Sequence, residues 1–468
     1  MRRYFALIVA LALNCLCAQA QLTEPKHLLI SGNLVTPDGV VPHGWLDILN
    51  GRILTVSNQR PEVANPQILE TDDLIFPGFI DLHNHPSFNI FPRWTPPHKF
   101  PNRYAWRDWD VYQQQLEGKA HRLFADPTTF CDIDEYVEVK ALIGGTTSMI
   151  GLGSSNPAKH TPDCIRGLVR NLDHFTGFYG QQVDHERIAN SIGILPRDMD
   201  AITAAHYTQS IKDGSLDLLA IHIAEGLPTD AESAQELDML DAHDLLGPHT
   251  ALIHSVGLSP SQLARVHRAG ASIVWSPRSN FELYGQTANV DAAFREGVTI
   301  SLAPDWSPSG SDNMWEEIQY ARNVSTRDLN GLFSNRQLVE MASSVPARVA
   351  GIDDKVGTIA PGMMADFFAV RPAGETPHIS PYDTVISGNI ANNVDLVVIN
   401  GIPIYGDPKL LHALNIATEP LQLCGEEKAL NSAALPNGSF AEVQARLSTE
   451  LKALGTELGP LDSCPHLP

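Results

Sequence analysis

His83 and His85 stand two residues apart, directly after the apolar run Phe79-Ile80-Asp81-Leu82. On an extended segment positions i and i+2 point to the same side, so both imidazoles can reach one point in space. Similar groups recur at the ends of later apolar runs: His222 and Glu225 close Leu219-Ala220-Ile221, His254 closes Ala251-Leu252-Ile253, and Asp305 follows Ile300-Ser301-Leu302. Three imidazoles (His83, His85, His222) and the carboxylate of Asp305 form a donor set for one borderline divalent cation. Zn²⁺ is the first candidate, with iron or manganese as others, and a coordination position is left for water. The chemistry such an ion offers is a water whose pKa is lowered toward about 7, so that hydroxide is available as a nucleophile.

These residues need a scaffold that brings distant strand ends together. Strands are predicted over residues 74–82, 146–150, 191–195, 218–223, 250–254, 271–275 and 298–302, with a weaker one at 177–183. Helical patterns at 234–246, 259–269 and 290–296 alternate with them. Eight strands alternating with helices predict an α/β fold, a closed (β/α)₈ barrel over 78–355. Such barrels keep their chemistry at the C-terminal strand ends, and His83, His85, His222, Glu225, His254 and Asp305 all fall there.

Short strands separated by Asn-Gly and Asp-Gly turns flank the barrel on both sides, at 27–30, 45–48 and 52–56, then at 365–370, 394–398 and 401–405. They predict a small split β-sandwich domain built from 21–77 and 356–415. Residues 416–468 form a C-terminal extension with one helical pattern at 440–454.

The run from Phe76 to His85, Phe-Pro-Gly-Phe-Ile-Asp-Leu-His-Asn-His, resembles the first-strand signature of the amidohydrolase superfamily. His222-Ile223-Ala224-Glu225 and Ser276-Pro277-Arg278-Ser279-Asn280 are similar to its deaminase-like branch, which includes cytosine and guanine deaminases, triazine hydrolases and imidazolonepropionase. Gly357-Thr358-Ile359-Ala360-Pro361-Gly362 looks like that family's return to its β domain. The resemblance covers roughly residues 26–405. It implies that Asp305 binds the metal and takes the proton of the attacking water, that Glu225 shuttles a proton to substrate or leaving nitrogen, and that His254 polarises the carbon under attack. Two-metal members bridge their ions with a lysine at the fourth strand end. Between residues 141 and 255 only Lys159 and Lys212 occur, neither at such a position, so one metal is expected.

Around this centre, Arg278, Asn280 and Trp306 are candidate substrate contacts. The aromatic-rich segment 86–112, with Trp94, Tyr104, Trp106 and Trp109, reads equally as a cavity wall and as packing across the barrel mouth. The implied activity is metal-dependent hydrolysis of a non-peptide C–N bond in a cyclic amide, amidine or aminated heterocycle. The competing readings are a two-metal dipeptidase of Xaa-Pro type and a non-catalytic binding protein on the same barrel.

A formal charge of −22 argues against nucleic acid as a partner, because phosphates need a basic face. Arg2 and Arg3, the apolar stretch 5–17 and Ala18-Gln19-Ala20 read as a signal peptide cleaved after residue 20, which predicts export to the periplasm or beyond and no membrane association afterwards. Four cysteines then remain: Cys131, Cys164, Cys424 and Cys464. Proximity in sequence suggests Cys131–Cys164 and Cys424–Cys464, one of three possible pairings. The expected partner is a small-molecule substrate, with self-association left open.

Overall fold

The structure is a computed structural model that describes residues 27–152, 167–173, 187–190, 196–372 and 380–464. The expected leader, Cys164 and the strands expected at 177–183 and 191–195 lie outside these residues. No helix among the described residues is long and apolar enough to cross a membrane.

Both ends of the chain build one nine-stranded sheet. From the N-terminal part come β1 (His27–Thr36), β2 (Gly39–Leu49), β3 (Arg52–Ser57) and β4 (Gln67–Pro77). The barrel contributes β5 (Phe79–Asp81), β6 (Thr146–Met149), β7 (Arg170–Asn171), β8 (Ile188–Asn190), β9 (Leu218–Ile223), β10 (Thr250–His254), β11 (Ser272–Trp275) and β12 (Ile300–Leu302). The sheet is completed by β13 (Phe367–Val370), β14 (Val394–Ile399), β15 (Ile402–Gly406), β16 (Thr418–Leu423) and β17 (Glu426–Asn431), in the order β16-β17-β15-β14-β13-β4-β1-β2-β3. The outer strand β3 exchanges backbone hydrogen bonds with the segment before β13 (Ile53 N to Met363 O 2.9 Å, Gly362 N to Ile53 O 2.8 Å), which folds the sheet over its own apolar face. Leu28, Ile30, Leu46, Ile48, Phe367 and Leu396 fill the enclosed core.

The hairpin β16–β17 extends this sheet from within the expected C-terminal extension, pairing Tyr405 with Leu430. Its turn is Cys424-Gly425, both at positive φ (51° and 88°), as a two-residue hairpin turn requires. Cys424 is bonded to Cys464. Cys131 is also disulfide-bonded, to a partner outside the described residues. The following helix, Phe440–Ala453, lies on the helix Pro127–Leu142. There Arg446 forks onto Asp132 through two bonds of 2.7 Å, and Phe440 stacks on Tyr136.

Where a single strand over 74–82 is expected, the chain changes partners at Gly78. Residues up to Pro77 pair with β13, Gly78 N donates to Asp366 O, and Phe79 N donates to Gly145 O inside the barrel. A Cβ at Gly78 would lie 2.0 Å from Thr147 Oγ1, so only glycine lets the two domains approach this closely. The apolar run is continuous across this point, so its hydrophobicity does not reveal the break.

All barrel pairings are parallel, in two runs, β5-β6-β7 and β8-β9-β10-β11-β12. Among the described residues β7 and β8 follow β6 in chain order, and the strands expected at 177–183 and 191–195 lie outside them. Between β12 and β5 the wall is completed by the peptide Met341–Ala342, which accepts from Leu302 N and Ile80 N (2.8 Å each). Alternation along the strands sorts the side chains. Leu218 and Ala220 of β9, with Ala251 and Ile253 of β10, belong to one core. Leu219, Ile221, Ile223 and Leu252 belong to the other, larger core. The fold is therefore a (β/α)₈ barrel of the TIM type carrying a β-rich domain made from both ends of the chain.

Helix boundaries follow local capping. The helix expected at 259–269 runs Pro260–Ala269, with a reciprocal Ser259–Gln262 capping box at its start and left-handed Gly270 at its end. The helix expected at 234–246 begins earlier, at Ala231, because Asp230 caps the backbone N–H of Ser233, and ends at Ala242.

Candidate active site

His222 occupies the position of β9 that shares a face with Leu218 and Ala220, so alternation points it into the barrel. In β10 the same alternation would send His254 to the opposite face from Ile253. The backbone turns left-handed there, with φ of 66° at His254 and 57° at Ser255, and the ring instead meets the groups at the rim. Ala224 (φ 47°) and Asp305 (φ 69°) share this backbone region, which is sparsely populated by residues other than glycine. Three strand ends thus leave regular geometry where their side chains converge.

The first and eighth strand ends are tied together. Asp305 N donates to His83 O (3.1 Å) and His85 N to Asp305 O (3.2 Å). Buried Asp81 accepts from His83 N (3.0 Å) and from Asn84 Nδ2 (2.6 Å). Asn84 in turn accepts from Asn89, whose Oδ1 holds Ser307 N at 2.8 Å, so one polar chain fixes both the histidine loop and the loop that carries Trp306.

At the focus, His83 Nε2 lies 3.2 Å from His222 Nε2 and 3.3 Å from Asp305 Oδ1, and His85 Nε2 lies 3.5 Å from the same oxygen. Burial holds all three histidines well below the usual imidazole range, with neighbouring His and Arg103 charges adding to it, and pushes the Asp305 carboxyl well above its own. His83 Nδ1 is engaged by Ser276 Oγ at 2.9 Å, which leaves the Nε2 lone pair aimed inward. Burial disfavours the imidazolium form of each histidine, and a cation at the focus would give their inward-facing nitrogens a common partner. The separations of 3.2–3.5 Å are short enough for these donors to share one ion at about 2.0–2.1 Å, the bond lengths found for zinc with nitrogen and oxygen donors. The residues present therefore fit a divalent metal: His83, His85, His222 and Asp305 would hold it.

Beside this cluster, His254 Nε2 lies 3.5 Å from Glu225 Oε1 and 4.0 Å from Asp305 Oδ2. The amide of Asn280 donates to Thr287 Oγ1, which fixes its Oδ1 as acceptor for His254 Nδ1 at 2.9 Å. The proton-exchanging atom of His254 is thus Nε2, the one facing Glu225. Glu225 accepts from Tyr284 OH (2.7 Å) on one oxygen and pairs with Arg103 Nη1 (3.1 Å) on the other, and Trp106 Nε1 donates to Tyr284 OH (2.8 Å). Ser279 donates to Asp305 Oδ2 and lies 3.2 Å from Ser309 Oγ, which accepts from Trp306 Nε1.

A cavity of about 240 Å³ opens over these groups, lined by His85, His222, Glu225, His254 and Asp305 on the strand side. Its other wall is made of Phe88, Arg103, Trp106, Arg107, Tyr112, Glu117, His121 and Trp306. The segment 86–112 is therefore a cavity wall. It is pinned to the fifth strand end by Arg103 N to Glu225 O (2.8 Å) and Leu227 N to Pro101 O (2.7 Å), and by Glu236, which accepts from both Tyr104 OH and Ala224 N.

Of the expected substrate contacts, Trp306 lines the cavity. Asn280 instead orients His254. Arg278 turns away from the cavity: its guanidinium pairs with Glu316, and its backbone N–H donates to Glu317 (3.2 Å). On the helix Met314–Asp328 Glu317 is buried and Glu316 half-buried, so the guanidinium is already paired. Arg103, Tyr284, Ser276 and Ser279 were not singled out by sequence. The Ser276–Asn280 motif was the available signal for two of them, whereas nothing in spacing joins Arg103 to Glu225.

Residues 195–403 match the amidohydrolase family model, and the chain carries an amidohydrolase family domain. Curated relatives span most of the chain. The 5'-deoxyadenosine deaminase of Methanothermobacter thermautotrophicus is 25% identical over 421 residues, 83% of this chain and 95% of the relative. The 5-methylthioadenosine/S-adenosylhomocysteine deaminase of Syntrophobacter fumaroxidans is 25% identical over 422 residues, 82% and 94% respectively. Among solved structures, a zinc-bound adenosine deaminase from Xanthomonas campestris superposes with a TM-score of 0.67 at 16% identity, covering 92% of this chain and 99% of its own. A guanine deaminase from Bradyrhizobium japonicum gives 0.59 at 15% identity, covering 82% and 100%.

Proposed function

We propose that this protein is a metal-dependent deaminase that hydrolyses the C–N bond of an aminated, adenosine-like heterocycle, converting the ring C–NH₂ to C=O with release of ammonia. The observation that carries this reading is the single focus of His83, His85, His222 and Asp305 with Glu225 and His254 beside it, all facing one aromatic-walled cavity. One zinc ion bound there supplies an acidified water and positive charge opposite the developing negative charge. The chain's own groups do the rest. Asp305, with Oδ2 held by Ser279, accepts a proton from the attacking water. Glu225, aimed by Tyr284 and Arg103, carries a proton to the ring and on to the leaving nitrogen. His254 presents Nε2 to the carbon substituent under attack. The homology of the family domain to curated deaminases supports the same class of bond.

The test is ammonia release from a panel of adenosine-like compounds, compared with cyclic amides in which ring opening frees no ammonia. Ammonia release that disappears in His85→Ala supports deamination, whereas ring opening without ammonia, or activity surviving that substitution, refutes it. The N-terminal pattern and the Cys424–Cys464 disulfide together support export to an oxidising compartment, checked by fractionation and N-terminal sequencing of the mature chain.

A further inference from the structure

Arg103 and Arg107 stand one helical turn apart on the helix Arg103–Arg107, a spacing that puts both side chains on one face. Both line the cavity, yet their surroundings differ. Arg103 is buried and paired with Glu225. The guanidinium of Arg107 makes no hydrogen bond or ion pair among the described residues, and the residue is only half-buried on the cavity lining. The cavity also holds Glu117, but that carboxylate accepts from Gln113 Nε2 (2.9 Å), lies 3.9 Å from His121, and forms no ion pair with Arg107 among the described residues. The cavity that Arg107 shares with the metal cluster is walled by flat rings: Trp106 and Trp306 have centroids 5.8 Å apart, and Tyr112 and Phe88 close on Trp306 at 6.2 and 5.4 Å. An aromatic slot with an uncompensated planar cation matches a planar ring that bears an anion. Guanidinium meets carboxylate or phosphate through two parallel hydrogen bonds, and a neutral ligand would leave that capacity unused.

We propose that Arg107 is the anion-binding element of this cavity, and that the substrate is an aminated heterocycle carrying an oxyanion, a carboxylate or a phosphate, on a substituent of its ring system. This rests on the deaminase reading for the ring and adds the charge. None of the site residues expected from sequence supplies this function, since Arg278 is committed to Glu316.

The test uses tryptophan fluorescence, because Trp106 and Trp306 line the cavity. The zinc-loaded protein is titrated with adenosine, adenosine 5'-carboxylate and adenosine 5'-monophosphate. The expected result is at least tenfold tighter binding of one anionic compound than of adenosine, a ratio that collapses toward one in Arg107→Met and is partly retained in Arg107→Lys. Preference for the carboxylate or for the phosphate compound identifies which oxyanion the site takes. Circular dichroism of both variants verifies that they fold. Equal affinities for the three compounds, no binding by either anion, or a preference that persists in Arg107→Met overturns the proposal. Ammonia release is measured on the same compounds: an anion preference without ammonia refutes the deaminase reading and leaves the anion site standing.

Discussion

The two walls of the cavity are built differently. One consists of strand ends: His222, Glu225, His254 and Asp305 project from β9, β10 and the turn after β12, each held by the parallel ladder below it. The other belongs largely to the long segment 86–112, which has only short helical turns and is held by a few bonds to the barrel rim. The groups proposed to hold one ion sit on the rigid side. The groups proposed to select a ligand, Trp106 and Arg107, sit on the segment whose sequence can change without disturbing the ladder.

Substitutions on the two walls should therefore fail in different ways. The largest effect is expected from His85→Ala: loss of bound metal and at least about a 10⁴-fold fall in kcat/KM on every substrate, read by metal analysis and ammonia release. Glu225→Gln should retain the metal and lose roughly 10²- to 10⁴-fold in kcat, the usual worth of a positioned acid–base group, measured at saturating substrate. Retained metal with near-normal turnover would remove Glu225 from the chemistry. Tyr284→Phe deletes one hydrogen bond to a charged carboxylate, about 1.5 kcal/mol or more, so a fall of about tenfold in kcat is expected with folding unchanged. On the loop wall, Trp106→Ala should raise KM by about tenfold because it removes stacking area, with a smaller fall in kcat from its lost hydrogen bond to Tyr284. An equal loss of kcat would make the loop part of the chemistry and erase the distinction. Smallest in its effect on activity is Cys464→Ser. It opens the bond to Cys424 and should lower unfolding stability by about 2–4 kcal/mol while folded protein keeps its turnover, read by denaturation and by assay at low temperature.

The same division sets how much was legible in the sequence. His83, His85, His222, Glu225, His254 and Asp305 could be placed because each follows an apolar strand and barrel topology brings strand ends together whatever lies between them. The composite sheet was legible from its turns, such as Asn50-Gly51 and Asn400-Gly401. Local pattern did not reveal events that depend on contacts distant in sequence. The exchange of partners at Gly78 depends on the close approach of Thr147, and the orientation of Arg278 on its pairing with Glu316. The pairing of Arg103 with Glu225 joins residues 122 positions apart. The two-residue strand β7 is too short to show any periodicity, and β16–β17 looked like an extension because its partner strand β15 lies across the hairpin edge rather than beside it in a repeating pattern.

The central claim, a single metal held by the strand-end donors and needed for ammonia release, is tested most directly by counting metal per chain while titrating activity. The prediction is one ion per purified chain, loss of ammonia release when a chelator strips it, recovery on addition of one equivalent of zinc, and no stoichiometric binding by Asp305→Ala. Two tightly bound ions per chain would instead favour the dipeptidase reading, and full activity in metal-free protein would contradict the account outright.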